Sequence, residues 1–455
     1  MLKDFFARLF GSHSYDVNDV FTPTRAAELN YVKRPELEKQ VLDVIRIPGK
    51  QLLLFGHSGS GKTTIIRSLL DTAKMNHTRV HCERSTTFND ILLAAFDNLN
   101  KFIVAERTFS KSRTVSAKIA SEYKLLKSEI SSGNTETEGC KISRLLPVQL
   151  TPQKLAQFYG ESNIVLIIED FHKVPEDQKA RIADLLKIFV DNANDYRVSK
   201  IVCIGACDSA NELVTLDPNL KNRVAETKIT MLTDDEIKEI ILNGCRLLNI
   251  EMEPALIDKL VYYSARLGST AHQMCLDICS AEGIDKTQKK KVLIKDNAFN
   301  HAVSCFVKHN EGTLTSIYET AVKDELGWYI LKTVSGNSHK KLSCQEIFKR
   351  VNNRKHSFPE EEIKKRLDKF CQPPFSVLFY DSNSEKYCLA SPFWDAFLRM
   401  QFAYEAANRE AAGKNKANKN LKLVSQKNIN ASVDNHMLEL LIELRKQYEE
   451  IMKKT

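Results

Sequence analysis

Apolar residues in this chain gather in short runs separated by amphipathic stretches. Leu52–Phe55, Ile164–Ile168 and the run "KIVCIGA" ending at Ala206 are each a few residues long and rich in branched side chains. Unbroken apolar runs of that length suit strands buried on both faces of a parallel sheet. Thr78–Cys82 predicts a further strand. Phe88–Phe102 and Asp177–Val190 carry helical periodicity. Strands alternating with helices predict a mostly parallel sheet covered on both faces, with any ligand at the carboxyl ends of the strands.

Beyond Met231 the pattern turns helical. In "LTDDEIKEIILNGCRLL", Thr233 is placed to cap a helix whose first turn holds Asp234, Asp235 and Glu236, where carboxylates complement the dipole. Further helices are predicted over Pro254–Ala265, Ala271–Ala281 and Ile294–Lys308. From Leu326 to Arg399 three helices are followed by two short strands around a polar turn. Ser343 and Glu346 have the spacing of a capping box, and Pro359 sits at the start of the third helix. This order is that of a winged helix, in which the third helix can enter a major groove. Lys364, Lys365, Arg366 and Lys369 are its candidate phosphate contacts; Glu360, Glu361 and Glu362 at its front oppose them, and plain protein docking fits the same pattern.

The region from about 103 to 160 interrupts the sheet pattern and reads as an insertion, with strand-like alternation in "SEYKLLKSEIS" and a polar loop in "SSGNTETEG". Residues 408–428 are rich in Lys and Asn and predict a mobile linker whose lysines suit phosphate. Met437–Lys454 has the spacing of a final amphipathic helix, and residues 1–10 that of a short one. Over 455 residues the net charge is +8, which permits contact with nucleic acid without requiring it. Eleven cysteines without a CxxC pair predict buried thiols in a reducing, cytoplasmic setting. His272, Cys275 and Cys279 share a helical face but lack the ligand geometry of a zinc site. No apolar run reaches membrane-spanning length.

The chemistry concentrates at two strand ends. After Leu52–Phe55 the segment Gly56, His57, Ser58, Gly59, Ser60, Gly61, Lys62, Thr63 and Thr64 matches G-x-x-x-x-G-K-[ST] between a strand and a helix. Glycines let backbone N–H groups turn toward phosphate, and the helix N-terminus adds its positive dipole end. Lys62 is placed to pair with β- and γ-phosphates and Thr63 to ligate Mg²⁺. After Ile164–Ile168 come Glu169 and Asp170. Two adjacent acids at the end of a buried strand are costly without a positive partner, and ATP-bound Mg²⁺ supplies one.

These pieces, over roughly residues 20–400, resemble AAA+ ATPases of the origin-recognition and transposition-regulator type. The resemblance implies a base-recognition segment before the P-loop, where "YVKRPELEKQ" stands; Tyr31 and Val32 would pack on adenine, with Lys33 in place of the usual glycine. It implies that Glu169 holds Mg²⁺ through water and that Asp170 orients the attacking water, in the reverse of the family's Asp-Glu order. It places a sensor near Cys207, Asp208 and Ser209, and an arginine finger at Arg223 reaching a neighbouring subunit. A second sensor follows Gly268 and Ser269, with His272 near the position of the usual arginine.

The expected organisation is an N-terminal arm (1–30), a parallel-sheet α/β P-loop NTPase core of the AAA+ kind (31–230), a helical lid (231–315), a winged helix (320–405), a basic linker (406–435) and a terminal helix (436–455). The expected activity is slow ATP hydrolysis by a homo-oligomeric switch that binds duplex DNA or recruits an effector protein. A signalling ATPase that docks proteins through the winged helix, without DNA, fits the same sequence, as does a scaffold with negligible turnover.

Overall fold

The computed structural model describes residues 14–99, 151–206, 221–336, 341–352 and 357–409 in full, and 102–108 and 139–144 as backbone. Cys207, Asp208, Ser209, the "SEYKLLKSEIS" alternation and the expected terminal helix lie outside the described residues, as do residues 1–13 and most of the basic linker.

The strands of the first half are β1 (Gln51–Phe55), β2 (Asn76–His81), the antiparallel pair β3 (Phe102–Thr108) and β4 (Gly139–Arg144), β5 (Ile164–Glu169), β6 (Lys200–Gly205) and β7 (Val224–Lys228). All but β3 and β4 form one parallel sheet in the order β2-β5-β6-β1-β7. Alternation along each strand sorts its side chains between two layers. Leu53, Leu166, Ile168, Ile201 and Cys203 join one core cluster, and Leu52, Leu54, Val165, Ile167, Val202 and Ile204 join another.

The helices here are α1 (Val17–Val20), α2 (Pro35–Arg46), α3 (Lys62–Thr72), α4 (Phe88–Asn98), α5 (Pro152–Ser162) and α6 (Glu176–Asn192). Ile65, Ile66, Leu69 and Leu70 of α3 pack on one layer, and α4, α5 and α6 cover the other. The expected insertion is therefore shorter than 103–160. Helix α5 buries Leu155, Phe158 and Tyr159 in the sheet core and feeds directly into β5. Its N-cap Thr151 accepts from Lys154 N–H, and Asn163 closes it in the left-handed region. Lys200, at the start of β6, is buried and donates to the carbonyls of Val44 and Ile47 at 3.3 and 3.0 Å and to that of Lys50. It thereby satisfies carbonyls at and beyond the C-terminus of α2, and burial pulls its pKa down to about 8.

The second half holds α7 (Asp234–Leu248), β8 (Ile250–Met252), α8 (Pro254–Tyr263), α9 (Gly268–Ala281), β9 (Val292–Ile294), α10 (Phe299–His309) and α11 (Ser316–Ala321). Then come α12 (Glu325–Val334), β10 (Leu342–Ser343), α13 (Cys344–Val351), α14 (Glu360–Cys371), β11 (Leu378–Asp381), β12 (Lys386–Leu389) and a helix α15 over 392–409. Thr233 and Ser343 both cap with reciprocal bonds from Glu236 and Glu346. Strands β10, β12 and β11 form a small antiparallel sheet in that order. One apolar cluster runs through both groups of helices, from Val17 to Phe402.

The N-terminal segment is built into that cluster. Val17, Val20 and Phe21 are buried, Val17 N–H donates to Asp285 at 2.9 Å, and Thr22 N–H donates to His272 Nδ1 at 3.1 Å. Phe21 lies against Gly244 of α7 so closely that a Cβ there would stand 2.3 Å from the ring.

Two outcomes follow from this packing. Gly244→Ala overpacks a fully buried ring and should cost about 1–3 kcal/mol in urea unfolding. His272 is buried and neutral, with its pKa pushed down to about 4 by desolvation. The unfolded chain then binds one more proton between the ordinary imidazole value and about 4. The stability tied to the neutral ring is complete above roughly pH 6.5 and is lost on acidification through that window, on the order of 3 kcal/mol. Urea midpoints from pH 7 to pH 4 should show the loss, and His272→Gln should flatten it.

Candidate nucleotide site

The turn after β1 is shaped by its glycines. Gly56, Gly59 and Gly61 have φ of 147°, 80° and 88°, a region that favours glycine. At Gly56 a Cβ would sit 2.2 Å from the Ile229 carbonyl, because Ile229 N–H continues the β7 ladder onto Phe55 at 2.7 Å. Around Gly61 a Cβ would meet nothing within 4 Å. Gly61 is also the N-cap of α3, which has no side-chain cap, so the first amides of the helix open onto this space. Lys62 is buried and its ammonium donates to the Gly56 and His57 carbonyls at 2.8 and 2.7 Å.

The cleft here has a volume of ≈ 570 Å³, and Ser58 to Thr64, Glu169 and Asp170 all line it. Parallel pairing with β1 and β6 as neighbours brings the ends of β1 and β5 to the same edge of the sheet. Thr63 Oγ1 donates to Glu169 Oε2 at 3.3 Å. The other carboxylate oxygen, Glu169 Oε1, is buried without a hydrogen bond, its nearest cation being Arg79 at 3.5 Å. A hydroxyl beside a carboxylate with a free buried oxygen is the hard-oxygen donor set that Mg²⁺ takes. The uncapped amides, Lys62 and the open cradle at Gly61 suit a polyphosphate.

Asp170 is placed differently from Glu169. Its backbone is left-handed, with φ 58° and ψ 30°, and it opens the 3-10 turn Phe171–Lys173. Its carboxylate is about half exposed and pairs with Lys173 at 2.8 Å. Phe171 is buried in the sheet core. His172 accepts from Ala206 N–H at 3.1 Å, linking this turn to the end of β6; burial holds its pKa below the usual imidazole range.

Tyr31 and Val32 both line the cleft. The Tyr31 hydroxyl donates to Glu38 at 2.7 Å, and burial raises its pKa. His272 does not join them. Its ring faces Thr22 N–H inside the helical half, while Gly268 and Ser269 of the same helix reach the cleft wall. The spacing of four keeps His272 on the same face of α9 as Gly268 but one turn farther along, where Phe21 and Thr22 cover it. Arg223 also lies elsewhere within its own chain. It immediately precedes β7, whose first residue pairs with Gln51 at the start of β1, so a strand's length separates it from the P-loop, roughly 15 Å. Its guanidinium pairs with Asp191 at 3.2 Å and is partly exposed.

Sequence reasoning missed three side chains at the cleft. Arg34 is buried and binds Glu236, the Thr230 hydroxyl and carbonyl, and the Met231 carbonyl, tying the entry of α2 to the connection into α7. Its fourfold spacing from Glu38, which accepts from Arg34 N–H at 2.8 Å, was the only signal. Arg79 and His81 flank Glu169 because β2 pairs with β5 in register His81 to Glu169, and pairing register across the sheet is not written in either strand alone.

Residues 35–192 match the AAA ATPase domain family. No curated protein matches the chain. Among solved structures, a Walker-type ATPase of Pyrococcus abyssi is similar at 14% identity and a TM-score of 0.50, covering 84% of this chain and 99% of that one. The ORC2 protein of Aeropyrum pernix, solved as ADPNP–ADP complexes, is similar at 13% identity and a TM-score of 0.45, with coverage of 87% and 99%. The ORC1 protein of the same organism, solved in complex with DNA, is similar at 11% identity and 0.40, with coverage of 87% and 98%. The parallel sheet, the P-loop between β1 and α3 and the family match over residues 35–192 together identify an AAA ATPase domain in this chain.

Proposed function

We propose that the chain is an ATP-binding AAA+ ATPase that works as a nucleotide-dependent oligomeric switch, hydrolysing ATP slowly and binding duplex DNA or recruiting a partner protein. The observation that carries this reading is the cleft itself: uncapped helix amides, Lys62 and the Thr63–Glu169 pair meet within one turn of a glycine loop. The amides and Lys62 bind the β- and γ-phosphates. Thr63 and Glu169 hold Mg²⁺, which when bound neutralises phosphate charge. Tyr31 and Val32 flank the base.

Asp170 is the water-orienting group in this reading, and two features make it a slow one. It is a methylene shorter than Glu, and its carboxylate is already engaged by Lys173; small displacements of such groups cost large factors in rate. Arg223 lies too far to serve its own chain but is exposed enough to serve a neighbour, once it leaves Asp191. That arrangement supports a finger acting between subunits.

In this reading the helices α12, α13 and α14 and the sheet of β10, β12 and β11 are the winged helix expected over 320–405. Its third helix, α14, spends Arg366 on a bidentate pair with Asp324 at 3.0 and 2.6 Å. Lys364, Lys365 and Lys369 remain for phosphate, behind Glu360, Glu361 and Glu362 in the first turn. That loss of a cation favours the second reading, a regulatory ATPase whose winged helix docks a protein.

Lys62→Ala should abolish binding of ATP and ADP in calorimetry. Asp170→Asn should retain ATP affinity and lower turnover at least tenfold; unchanged turnover removes Asp170 from the water-orienting role. Arg223→Ala should slow hydrolysis only at concentrations where subunits associate, read by activity and light scattering together. Duplex DNA binding, if the first reading holds, should weaken steeply with salt and on Lys364→Ala with Lys365→Ala; no binding at low salt selects the protein-docking reading.

A further inference from the structure

The turn between α8 and α9 touches three parts of the molecule at once. Ala265 and Arg266 are consecutive left-handed residues, with φ of 49° and 64°, a conformation that β-carbon-bearing residues adopt only when their surroundings impose it. The turn delivers Leu267, the N-cap of α9, into a buried position. On one side Leu267 covers the P-loop: a Cβ on Gly59 would stand 2.6 Å from Leu267 Cδ2. On the other it shares a small buried cluster with Ala265 and with Ala396 of α15, with Met231 against it.

The same turn is tied to α15 by polar contacts. The Tyr262 carbonyl accepts from Ala265 N–H at 3.3 Å and from Arg399 Nη1 at 2.5 Å. Arg399 in turn pairs with Asp395 at 2.6 Å, and Asp395 accepts from Gly336 N–H at 2.7 Å. Asp395 and Ala396 are both fully buried. Gly268 and Ser269, next to Leu267, line the nucleotide cleft, whereas Leu267 stands behind its wall.

We infer that Leu267 is the positioning residue through which the state of the P-loop reaches the C-terminal module. The inference rests on the nucleotide reading of the cleft. A polyphosphate drawn in by the amides around Gly59 and Gly61 sets the position of the loop, and Gly59 has no side chain to absorb a shift. Close-packed contacts transmit displacement because they cannot compress. Leu267 therefore moves with Gly59, and Ala396 moves with Leu267. The strained pair Ala265–Arg266 gives the turn a reason to have a second arrangement.

The chain carries its own reporter. It has two tryptophans, both in the C-terminal module, and Trp394 is two residues before Ala396 and packs on Phe397. In full-length Trp328→Phe protein, Trp394 is the only indole. ATP or ADP with Mg²⁺ should change its emission, saturating in step with binding of a fluorescent ADP analogue measured separately. Leu267→Ala should bind the analogue and lose at least three quarters of the emission change; Leu267→Met should restore it. Ala396→Gly, which withdraws the methyl from the other side, should lose the change in the same way if Leu267→Ala does not fold. An emission change that persists in either variant overturns the inference. So does bound nucleotide with silent Trp394 in the parent. Failure of the analogue to bind at all overturns the nucleotide reading as well, and the separate binding measurement tells the two apart.

Discussion

The first amides of α3 have no side-chain cap, and the rest of the molecule is arranged around that helix end. An N-terminus of this kind is a ready anion site. Here it is held open by a glycine at the cap, backed by Lys62 on two loop carbonyls, and closed from behind by Ile229 and Leu267. The glycines are therefore needed for two different reasons. Gly61 leaves room for what enters the cleft, while Gly56 and Gly59 leave room for the protein's own linker and helical half.

The two acids at the end of β5 illustrate how neighbouring side chains of similar chemistry come to differ. Glu169 is the last residue of the strand, and its carboxylate is buried beside Thr63 and Arg79. Asp170 has already turned left-handed, and its carboxylate faces Lys173 at the surface. The first keeps one buried oxygen without a hydrogen bond, whereas the second is half exposed and paired with a lysine. The pair thus divides into a buried carboxylate beside Thr63 and a more exposed one already engaged by Lys173.

The helical half is joined to the sheet by buried contacts on both sides of the cleft. Arg34 binds the connection into α7, the segment from Val17 to Thr22 is folded into the helical core, and Leu267 rests on the P-loop. Arg34 itself lines the cleft, and Leu267 lies against the glycine loop that does. The apolar core is continuous from the helical half into the C-terminal helices and small sheet.

Local patterns were enough for much of this. Unbroken apolar runs marked β1, β5 and β6, capping residues marked the starts of α7 and α13, and the glycine-lysine spacing marked the phosphate loop, because each depends on residues adjacent in sequence. The structure placed one expected site residue, His272, away from the cleft and added three. His272, one turn along α9 from the cleft wall, is covered by Phe21 and Thr22, and Arg223 stands at the far end of the sheet through the parallel pairing of β7 with β1. Arg34, Arg79 and His81 arrive through contacts between segments distant in the chain. Which residue types can bind a triphosphate was decided by the sequence, through local backbone preference and charge. Which of them face it was decided only by register and packing, which depend on where whole elements settle against each other.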